Sequence, residues 1–474
     1  MLTRLEVDGF KNLLGLTVEL GPFTCIAGEN GTGKSNVFDA IQFLSLLADR
    51  SLMEAAQEVR GTHGERHGDA RDLFWNGYDR GMHRMRFAAE MLVPAEPVED
   101  DFGRPATPTT SFLRYELELG YQPPQGAEKI GRLSLLHESL RHIKQGDARA
   151  RLRFPHSKAR FRDAVVTGRR SGVSYISTTV EGTESVIRIH QDGGSRGQPR
   201  PAAASRARAT VVSTVNTSDD PTILAVRREM QSWRRLALEP SALRSSDGYT
   251  DSRSMGPNGL HLPGTLFRIA LHGSPDDPDQ VYSRVAGRLS DLSGLQVRTL
   301  DVQEDDVREL LTIRLHEISG MVLPARSLSE GTLRFLALCV LLEDPEIRGL
   351  VCMEEPENGI HPANLSAMVD LVRDLAVDPQ ETPGDDNPFR QVLINTHSPG
   401  VVQLVDSQDL LFADTSAHRT ESGQVTRRLR LRPLAGTWRA ADGDGDFVTK
   451  LDILPYLEAP PDAQLTLDLD GRAA

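Results

Sequence analysis

The chain opens with a pattern that predicts a small sheet followed by a helix. Apolar and polar residues alternate over 3–10 and 16–20, which predicts a pair of strands. A short apolar run at 23–27 predicts a third, buried strand. From Lys34 onward, apolar residues recur at positions 37, 41, 44 and 48, a spacing that predicts a helix with one buried face. The order is therefore strand, turn and helix.

A region rich in strand signals follows. Alternating runs at 85–92, 112–120 and 133–140 predict strands. Between the first two, the segment 94–108 contains prolines and adjacent acidic residues, which predict a solvated loop. The low-complexity segment 193–209, rich in Gly, Arg and Ala, is predicted to be a mobile loop.

Helix and strand signals then alternate to the end of the chain. Periodicity predicts helices at 223–238, 280–292, 333–342 and 365–375, and strands at 297–300, 310–315, 350–353 and 392–396. A segment rich in Gly, Pro and Ser at 245–264 interrupts the helical signals. No internal repeat is evident, and no heptad run is long enough for an extended coiled coil.

These patterns divide the chain into five parts. We expect one lobe of an α/β domain at 1–92, a β-rich insertion at 93–222, a helical lid at 223–320, a second lobe at 321–415 and an extension at 416–474. The two lobes are expected to combine into one mixed sheet with flanking helices.

Composition narrows the possible partners. The 474 residues include 54 Lys and Arg against 67 Asp and Glu, and the formal charge of −13 argues against a surface that coats nucleic acid indiscriminately. Cys25, Cys339 and Cys352 lie in apolar runs without paired spacing, which fits core packing in a reducing compartment. No run of about 18 apolar residues occurs. We therefore expect a soluble, cytoplasmic protein without membrane contact.

One segment, from Arg141 to Arg170, reverses this charge balance. It contains ten Lys or Arg and only two Asp. The segment could contact the phosphate backbone of DNA. Alternatively, it could be the solvated edge of a hairpin, protected from aggregation by its charges. Its interleaved aromatic residues are limited to Phe154 and Phe161, and both interpretations remain open.

The first chemical motif lies between the third predicted strand and the first predicted helix. Residues 28–35, Gly-Glu-Asn-Gly-Thr-Gly-Lys-Ser, fit the phosphate-loop pattern G-x-x-x-x-G-K-[ST] at each fixed position. Its glycines allow backbone N–H groups to point at phosphate oxygens. Lys34 would neutralise the β- and γ-phosphates, and the Ser35 hydroxyl would ligate Mg²⁺. The loop therefore predicts a bound nucleoside triphosphate.

Two later strands carry residues suited to hydrolysis. The apolar strand at 350–353 ends in Glu354 and Glu355. One carboxylate can reach the Mg²⁺ shell while its neighbour polarises a water in line with the γ-phosphate. The next strand ends beside His397, which can sense or orient the γ-phosphate.

A fourth motif, Leu-Ser-Glu-Gly-Thr at 328–332, directly precedes a predicted helix. The Ser329 hydroxyl, the bare backbone at Gly331 and the positive end of the helix dipole can together bind an anion. Because Ser also begins many helices as a cap, the motif alone does not establish such a site.

With these motifs in this order, the sequence resembles the ABC-type ATPase heads of the RecF, SMC and OLD superfamily. The ordered motifs are GENGTGKSN at 28–36, LSEGT at 328–332, EEPENGIHP at 354–362 and NTHS at 395–398. Without a coiled-coil arm, it resembles the compact ATPase subunits of bacterial anti-phage systems such as PARIS and Septu. The resemblance covers roughly residues 1–60 and 320–415 and implies an α/β fold, an ABC-type P-loop ATPase head with an inserted β-rich and helical lid.

The resemblance also implies roles for individual residues. ATP and Mg²⁺ would be sandwiched between the phosphate loop of one subunit and the Ser-x-Gly signature of another, in a homodimer or higher even oligomer. Glu355 and His397 would be catalytic, as the water-polarising acid and the switch histidine, and residues 359–361 would form an inter-subunit loop. The implied nucleotide-binding residues are Lys11, Asn12, Asn30, Gly31, Thr32, Gly33, Lys34, Ser35, Asn36, Ser329 and Gly331, with Ser35 and Glu354 at the metal.

Three functions fit this resemblance. The first is an ATP-driven dimerising switch that acts on a separately encoded nuclease or toxin effector in anti-phage defence. The second is a DNA repair or recombination ATPase of the RecF kind, and the third is an ATP-bound scaffold with slow turnover. Glu354 stands where the family more often has Asp, and Glu330-Gly331-Thr332 replaces a commoner Gly-Gly-Gln/Glu, so the hydrolysis rate stays open. Too few residues follow His397 for the Toprim nuclease domain of OLD proteins, so any nuclease is expected on another chain.

Overall fold

A computed structural model describes residues 1–59, 70–75, 83–124, 130–168, 172–181, 184–192, 199–204, 207–273, 277–420, 423, 425–440 and 446–458. The strands are β1 (Leu2–Asp8), β2 (Leu16–Glu19), β3 (Phe23–Gly28), β4 (Arg84–Leu92), β5 (Val98–Glu99), β6 (Pro105–Ala106), β7 (Phe112–Gln122), β8 (Arg132–His142), β9 (Ile176–Glu181), β10 (Glu184–Ile189), β11 (Arg200–Ala203), β12 (Arg234–Leu236), β13 (Asp247–Gly248), β14 (Val297–Asp305), β15 (Leu310–Glu317), β16 (Val322–Pro324), β17 (Gly349–Glu354), β18 (Arg390–Thr396), β19 (Leu410–Arg419) and β20 (Val425–Pro433). The helices are α1 (Lys34–Leu47), α2 (Leu52–Glu58), α3 (Ala148–Arg151), α4 (Asp163–Val165), α5 (Val211–Thr214), α6 (Pro221–Gln231), α7 (Pro240–Leu243), α8 (Leu262–Gly273), α9 (Asp279–Ser293), α10 (Glu330–Glu343), α11 (Leu365–Asp374), α12 (Pro399–Leu404) and α13 (Lys450–Glu458).

Strands from both ends of the chain and β12 from its middle build one six-stranded sheet, in the order β12-β17-β18-β3-β19-β20. Neighbouring strands from β12 to β19 are parallel, and β20 pairs antiparallel with β19. β3 and β18 are buried along their whole length, as expected for parallel strands covered on both faces. The carboxyl ends of β3, β18 and β17 therefore lie side by side at one edge of the sheet.

The strands of the predicted insertion at 93–222 join β1, β2 and β4 of the predicted lobe 1–92 in an antiparallel sheet of eight strands, in the order β11-β10-β9-β8-β7-β4-β1-β2. The runs predicted as strands at 85–92, 112–120 and 133–140 are confirmed as β4, β7 and β8. The sheet packs on α1 through the rings of Phe10, Phe43 and Phe87, whose centroids lie 5.5 to 5.8 Å apart. This core joins the β1–β2 hairpin to the helix that follows the phosphate loop.

A smaller sheet contains β13, β14, β15 and β16. The strands predicted at 297–300 and 310–315 and the helix predicted at 280–292 are confirmed as β14, β15 and α9. Periodicity missed α8 because Pro263 and Gly264 lie in its first turn. Proline is compatible with a first helical turn, where its missing N–H has no helical acceptor.

The helix predicted at 223–238 is wrong in its second half. Helix α6 ends at Gln231, and Arg234–Leu236 forms β12 instead. This short strand pairs in parallel with Val351–Met353 of β17. Backbone pairing along β17 outweighs the helical spacing of the side chains, because β-structure depends more on tertiary context than on local preference.

Two predicted loops are partly ordered. Segment 94–108 contains the β5–β6 pair and the buried Asp100, whose carboxylate accepts backbone N–H groups from 102, 104 and 218. Those hydrogen bonds explain why an acid there is not solvated. Segment 193–209 contains β11, which pairs with β10, while residues 193–198 and 205–206 lie outside the described residues.

The described part of segment 141–170 does not form the edge of a hairpin. The interpretation of its charges as protection of such an edge is therefore wrong. Of its described residues, only Arg141 and His142 belong to a strand, and the segment continues through α3, a π-helical turn at Lys158–Arg162 and α4. Phe154 and Phe161 are buried in a small core and are not exposed for base stacking. Arginines of the segment pair within the chain, as Arg141–Glu116, Arg151–Glu90 and Arg160–Glu381.

No long coiled coil occurs in the part of the chain that the structure describes, as predicted. The longest helix, α9, has 15 residues. Among the same residues, no helix combines the length and apolar character that crossing a bilayer requires.

A buried acid, Glu138 of β8, lies between the eight-stranded sheet and α5. Its carboxylate accepts the N–H groups of Val211 at 2.7 Å and Val212 at 3.1 Å, and the Tyr115 hydroxyl at 3.1 Å. Complete burial raises the pKa of Glu138 to about 7, although the three donors oppose the rise. Desolvation therefore outweighs hydrogen bonding at this site.

We expect Glu138→Gln to reduce the loss of stability between pH 4.5 and 7. The pKa of Glu138 is raised on folding, so the folded protein holds a proton that the unfolded chain has lost, and stability falls as pH rises through this window. The shift corresponds to about 3 kcal/mol across the window. Urea unfolding of both proteins at pH 5, 6 and 7 measures the difference, and parallel pH profiles would contradict the prediction.

Candidate active site

The phosphate loop connects β3 to α1 in a conformation that its glycines permit. Gly31 and Gly33 have φ angles of 77° and 98°, which L-residues with side chains rarely adopt. A Cβ atom at Gly33 would lie 2.2 Å from the side-chain amide nitrogen of Asn12. Asn30 and Gly31 are exposed at the tip of the loop. Glycine at position 33 is therefore required by both backbone angle and close contact.

The Lys34 ammonium is folded back onto the loop. It donates to the carbonyl oxygens of Gly28 and Glu29, both at 2.8 Å, and the residue is 6% exposed. Burial lowers the pKa of Lys34, and the nearby carboxylates of Glu355 and Glu357 oppose that shift. An ammonium has three N–H donors, so this arrangement keeps a positive charge inside the loop with capacity for a further acceptor.

The β1–β2 hairpin holds the same loop from the side. The Asn12 side-chain amide donates to the Thr32 carbonyl oxygen at 2.9 Å and accepts from the Asn36 amide at 2.7 Å. Its neighbour Lys11 has a φ of 48° and pairs with the buried Asp39 of α1 at 2.7 Å. Asn12 therefore contacts the phosphate loop, whereas the Lys11 ammonium contacts α1, and a role of either residue in binding a nucleotide stays a prediction.

The acidic pair lies at the end of β17, beside the loop. The backbone N–H of Glu355 donates to both the main-chain and the side-chain oxygen of Asn395, each at 3.1 Å, and Glu355 has a φ of 44°. The Asn395 amide also lies 3.4 Å from the Ser35 hydroxyl oxygen. Asn395 of β18 therefore bridges the phosphate loop and the acidic pair. Sequence reasoning missed this role, although Asn395 is part of the NTHS motif.

Glu355 and His397 form a direct pair. His397 Nδ1 lies 2.7 Å from Glu355 Oε1, and the Asn358 side chain donates to Oε2 at 2.8 Å. Both members of the pair are 32% exposed, so they border on solvent. The contact through Nδ1 fixes the orientation of the imidazole ring and leaves Nε2 for another partner.

Glu357, two residues further on, was not singled out from the sequence. It is 7% exposed and accepts the hydroxyl of Thr396, which in turn accepts the backbone N–H of Ser398 at 2.9 Å. Burial raises the pKa of Glu357. These hydrogen bonds hold the residues directly before and after His397, so Glu357 positions the end of β18. The third acid of EEPENGIHP was the available signal.

Glu354 is engaged by Arg235, another residue that sequence reasoning missed. Arg235 Nη2 donates to Glu354 Oε1 at 2.8 Å, and Nη1 donates to Asp39 Oδ1 at 3.1 Å. Arg235 lies on β12, the strand that was predicted as part of a helix. Asp39 is the one acid among the buried residues of α1, and that buried charge was the available signal.

Ser329 and Gly331 are not joined to this cluster by hydrogen bonds among the described residues. The Ser329 hydroxyl caps α10 by accepting the N–H of Thr332 at 3.2 Å. A Cβ atom at Gly331 would lie 2.9 Å from the carbonyl oxygen of Gly359. The signature therefore packs against residues 359–361, which are themselves followed by a 3₁₀ turn capped by His361.

The donor set fits a nucleotide with Mg²⁺. Ser35 and Glu354 offer the hydroxyl and carboxylate oxygens that this hard cation prefers. Lys34 and the loop N–H groups offer cationic and hydrogen-bond donors for phosphate. Gly31 has open space where a Cβ atom would stand, so the loop tip is accessible to a ligand.

Two family models match parts of the sequence. The model described as "AAA domain, putative AbiEii toxin, Type IV TA system" matches residues 213–403, and a second model described as "AAA domain" matches residues 4–54. The first match contains the signature, the acidic pair and His397, and the second contains the phosphate loop. A search of curated proteins found no matching sequence.

Similar solved structures are heads of SMC proteins. The SmcHead bound to the C-winged helix domain of ScpA is 13% identical, with a TM-score of 0.44, and the match covers 91% of this chain and 97% of that chain. The Smc head with an extended coiled coil bound to the C-terminal domain of ScpA, from Pyrococcus furiosus, is 12% identical, with a TM-score of 0.40 and coverage of 91% and 96%. The SMC head domain from Thermotoga maritima is 12% identical, with a TM-score of 0.35 and coverage of 91% and 98%.

The fold class predicted from the sequence is confirmed. The phosphate loop lies at the end of β3 and the acidic pair at the end of β17, and these strands lie on either side of β18 in one mixed sheet of an α/β domain. The loop and the pair come from distant parts of the chain. Each matched segment supplies part of that sheet. Two segments of the chain thus match AAA-domain models, and together they supply the strand ends that carry the phosphate loop, the acidic pair and His397.

Proposed function

We propose that the protein binds and hydrolyses ATP with Mg²⁺ and that two copies close around the nucleotide. The observation that carries the proposal is the convergence of three motif-bearing strand ends. The phosphate loop follows β3, and His397 follows β18. Glu354 is the last residue of β17, and Glu355 comes directly after it. Asn395 connects the phosphate loop and the acidic pair, since it accepts the Glu355 N–H and donates to the Ser35 hydroxyl.

The loop would bind the phosphates by exchanging internal contacts for ligand contacts. Lys34 would transfer its ammonium N–H groups from the carbonyl oxygens of Gly28 and Glu29 to phosphate oxygens. Ser35 and Glu354 would hold Mg²⁺. Bound there, the ion would supply positive charge that stabilises the phosphate oxygens.

Glu355 would act as the general base toward water. Its backbone is fixed by Asn395, and its carboxylate by His397 and Asn358, so its orientation is set before water arrives. His397 would stabilise Glu355 through Nδ1 and contact the γ-phosphate or the attacking water through Nε2. The Glu355–His397 pair thus couples the base to the state of the phosphate.

A second copy would complete the site. Ser329 and Gly331 begin α10, a helix of 14 residues, so a hydroxyl, backbone N–H groups and the helix dipole favour an anion there. In one chain this helix start packs against residues 359–361 and makes no hydrogen bond to the described phosphate loop. The γ-phosphate of a nucleotide held by a second copy fits this donor set, which supports a homodimer or higher even oligomer.

We further propose that ATP-dependent closure is a switch for a separate nuclease or toxin effector in anti-phage defence. The support is the resemblance of the motifs together with the matched model, whose description names a putative AbiEii toxin and a type IV toxin–antitoxin system. The alternative of a DNA repair ATPase gains less support, because arginines between 141 and 170 pair with acids of the same chain.

One contact favours the slow-turnover scaffold as the second candidate. The carboxylate on the metal side, Glu354, is engaged by the Arg235 guanidinium at 2.8 Å. Hydrolysis would require this contact to loosen when Mg²⁺ enters. Turnover measured at saturating ATP and Mg²⁺ separates the two candidates, since a scaffold would bind ATP tightly and release product far more slowly than once per minute.

We expect Glu355→Gln to abolish at least about 99% of ATP hydrolysis while nucleotide binding remains, because the amide cannot accept the proton of the attacking water. The trapped nucleotide should then double the mass of the particle. Mass photometry with and without ATP and Mg²⁺ measures the assembly, and phosphate release measures turnover.

The same variant, purified from cells that also express the neighbouring genes, tests the effector. A nucleotide-dependent assembly that contains a second polypeptide is the expected result. A bare homodimer would shift the proposal to the repair ATPase, and a monomer at saturating ATP would contradict the sandwich.

We expect Ser329→Asp to block ATP-dependent dimerisation of the Glu355→Gln protein without weakening nucleotide binding to each copy. Asp still caps a helix as well as Ser does, but its charge repels a γ-phosphate presented by the other copy. Ser329→Asn is the matched neutral control and should still dimerise. Equal dimerisation of the Asp and Asn variants, measured by mass photometry, would place Ser329 outside the composite site.

A further inference from the structure

Four charged side chains form a continuous chain from the N-terminal hairpin to the acidic pair. Lys11 Nζ lies 2.7 Å from Asp39 Oδ2, and Arg235 Nη1 lies 3.1 Å from Asp39 Oδ1. Arg235 Nη2 then lies 2.8 Å from Glu354 Oε1. The chain therefore contains two cations and two anions, and its formal charges balance.

Arg235 contacts two acids at once, Asp39 and Glu354. Its planar guanidinium uses one nitrogen for each of two acids, a fork that Lys cannot reproduce. Asp39 is fully buried, whereas Arg235 and Glu354 are 20% and 23% exposed. The Asp39 end of the fork is thus enclosed, and the Glu354 end, whose carboxylate would ligate the metal, borders on solvent. Among the described residues, the buried Nε of Arg235 has no hydrogen-bond partner, so the fork is not fully satisfied.

We propose that Arg235 is a positioning residue that occupies the metal-side carboxylate of Glu354 in the nucleotide-free protein and competes with Mg²⁺ for it. This inference rests on the proposed function, in which Glu354 reaches the Mg²⁺ shell. Asp39 retains the guanidinium when Glu354 turns to the metal. Arg235 therefore raises the Mg²⁺ concentration that the site needs and keeps the empty site from binding the metal without nucleotide.

The physical reason is a competition between two cations for one carboxylate. A carboxylate oxygen that accepts a guanidinium N–H loses that hydrogen bond when it ligates Mg²⁺, and the two positive charges then repel each other. A partly buried, charge-assisted contact of this kind is worth about 1 to 1.5 kcal/mol, which corresponds to a roughly five- to tenfold change in binding. If Arg235 instead oriented Glu354 for the metal, its removal would change Mg²⁺ binding in the opposite direction.

The test measures Mg²⁺ dependence in the Glu355→Gln background, where hydrolysis does not consume the nucleotide. A fluorescent ATP analogue at fixed concentration reports binding while Mg²⁺ is titrated. We expect Arg235→Gln to lower the half-saturating Mg²⁺ concentration about five- to tenfold. Asp39→Asn should raise it, because Arg235 then depends more on Glu354. Opposite shifts from two variants cannot result from general destabilisation.

Arg234→Gln is the matched control. Arg234 precedes Arg235 on β12 and therefore points to the other face of the sheet, and its substitution removes the same charge. We expect Arg234→Gln to leave the half-saturating Mg²⁺ concentration unchanged. A shift equal to that of Arg235→Gln would mean that Arg235 acts only by long-range electrostatics, which would overturn the inference. Arg235→Lys keeps the charge without the fork and should give an intermediate value. If thermal melting shows that Arg235→Gln does not fold, Arg235→Lys and Asp39→Asn provide the test instead.

Failure of the inference and failure of the proposed function give different results. An unchanged or higher half-saturating Mg²⁺ concentration for Arg235→Gln, with a parent that binds nucleotide normally, overturns only the role of Arg235. A folded parent protein that binds no nucleotide at any Mg²⁺ concentration contradicts the proposed function itself.

Discussion

The geometry of the site depends on the position of β18 between β3 and β17. In this parallel arrangement, Asn395 lies opposite Ile26 on one side and opposite Glu354 on the other. A slip of one residue in either pairing would turn Asn395 to the other face of the sheet. Its contact with the Ser35 hydroxyl joins residues 360 positions apart in the sequence. Strand register, more than any single side chain, places the acids beside the phosphate loop.

The site also concentrates conformational strain and buried charge. Glu355 has a left-handed φ of 44° without being glycine, a conformation that costs of order 1 to 3 kcal/mol. Asn395 stabilises that conformation by accepting the Glu355 N–H with two oxygens. Lys34 and Asp39 keep charges in enclosed positions because each has more than one partner. The large apolar cores on both faces of the sheet stabilise the fold and offset the energetic cost of this strain and buried charge.

Local patterns predicted the parts of the molecule whose chemistry is local. The phosphate loop needs only eight consecutive residues, so its strand and helix were predicted nearly to the residue. Arg235 was missed for two physical reasons. Its strand has three residues and exists because it pairs with β17, and its contact with Asp39 spans 196 positions. The pairing of Arg160 with Glu381, 221 positions away, could likewise not be predicted from the residues of segment 141–170 alone. Tertiary partners of charged side chains leave no periodic signal.

The contacts of Asn12 with the phosphate loop have a consequence for the entropy of binding. The loop is held by the Asn12 side-chain amide, which donates to the Thr32 carbonyl oxygen before any ligand contributes a contact. A segment that is already restrained loses little conformational freedom when it is occupied. Less of the interaction energy is then spent on ordering the protein, and more remains as affinity. The hairpin that precedes the loop by only a few residues thus acts as a rigid frame, which turns a glycine-rich turn into a preorganised receptor.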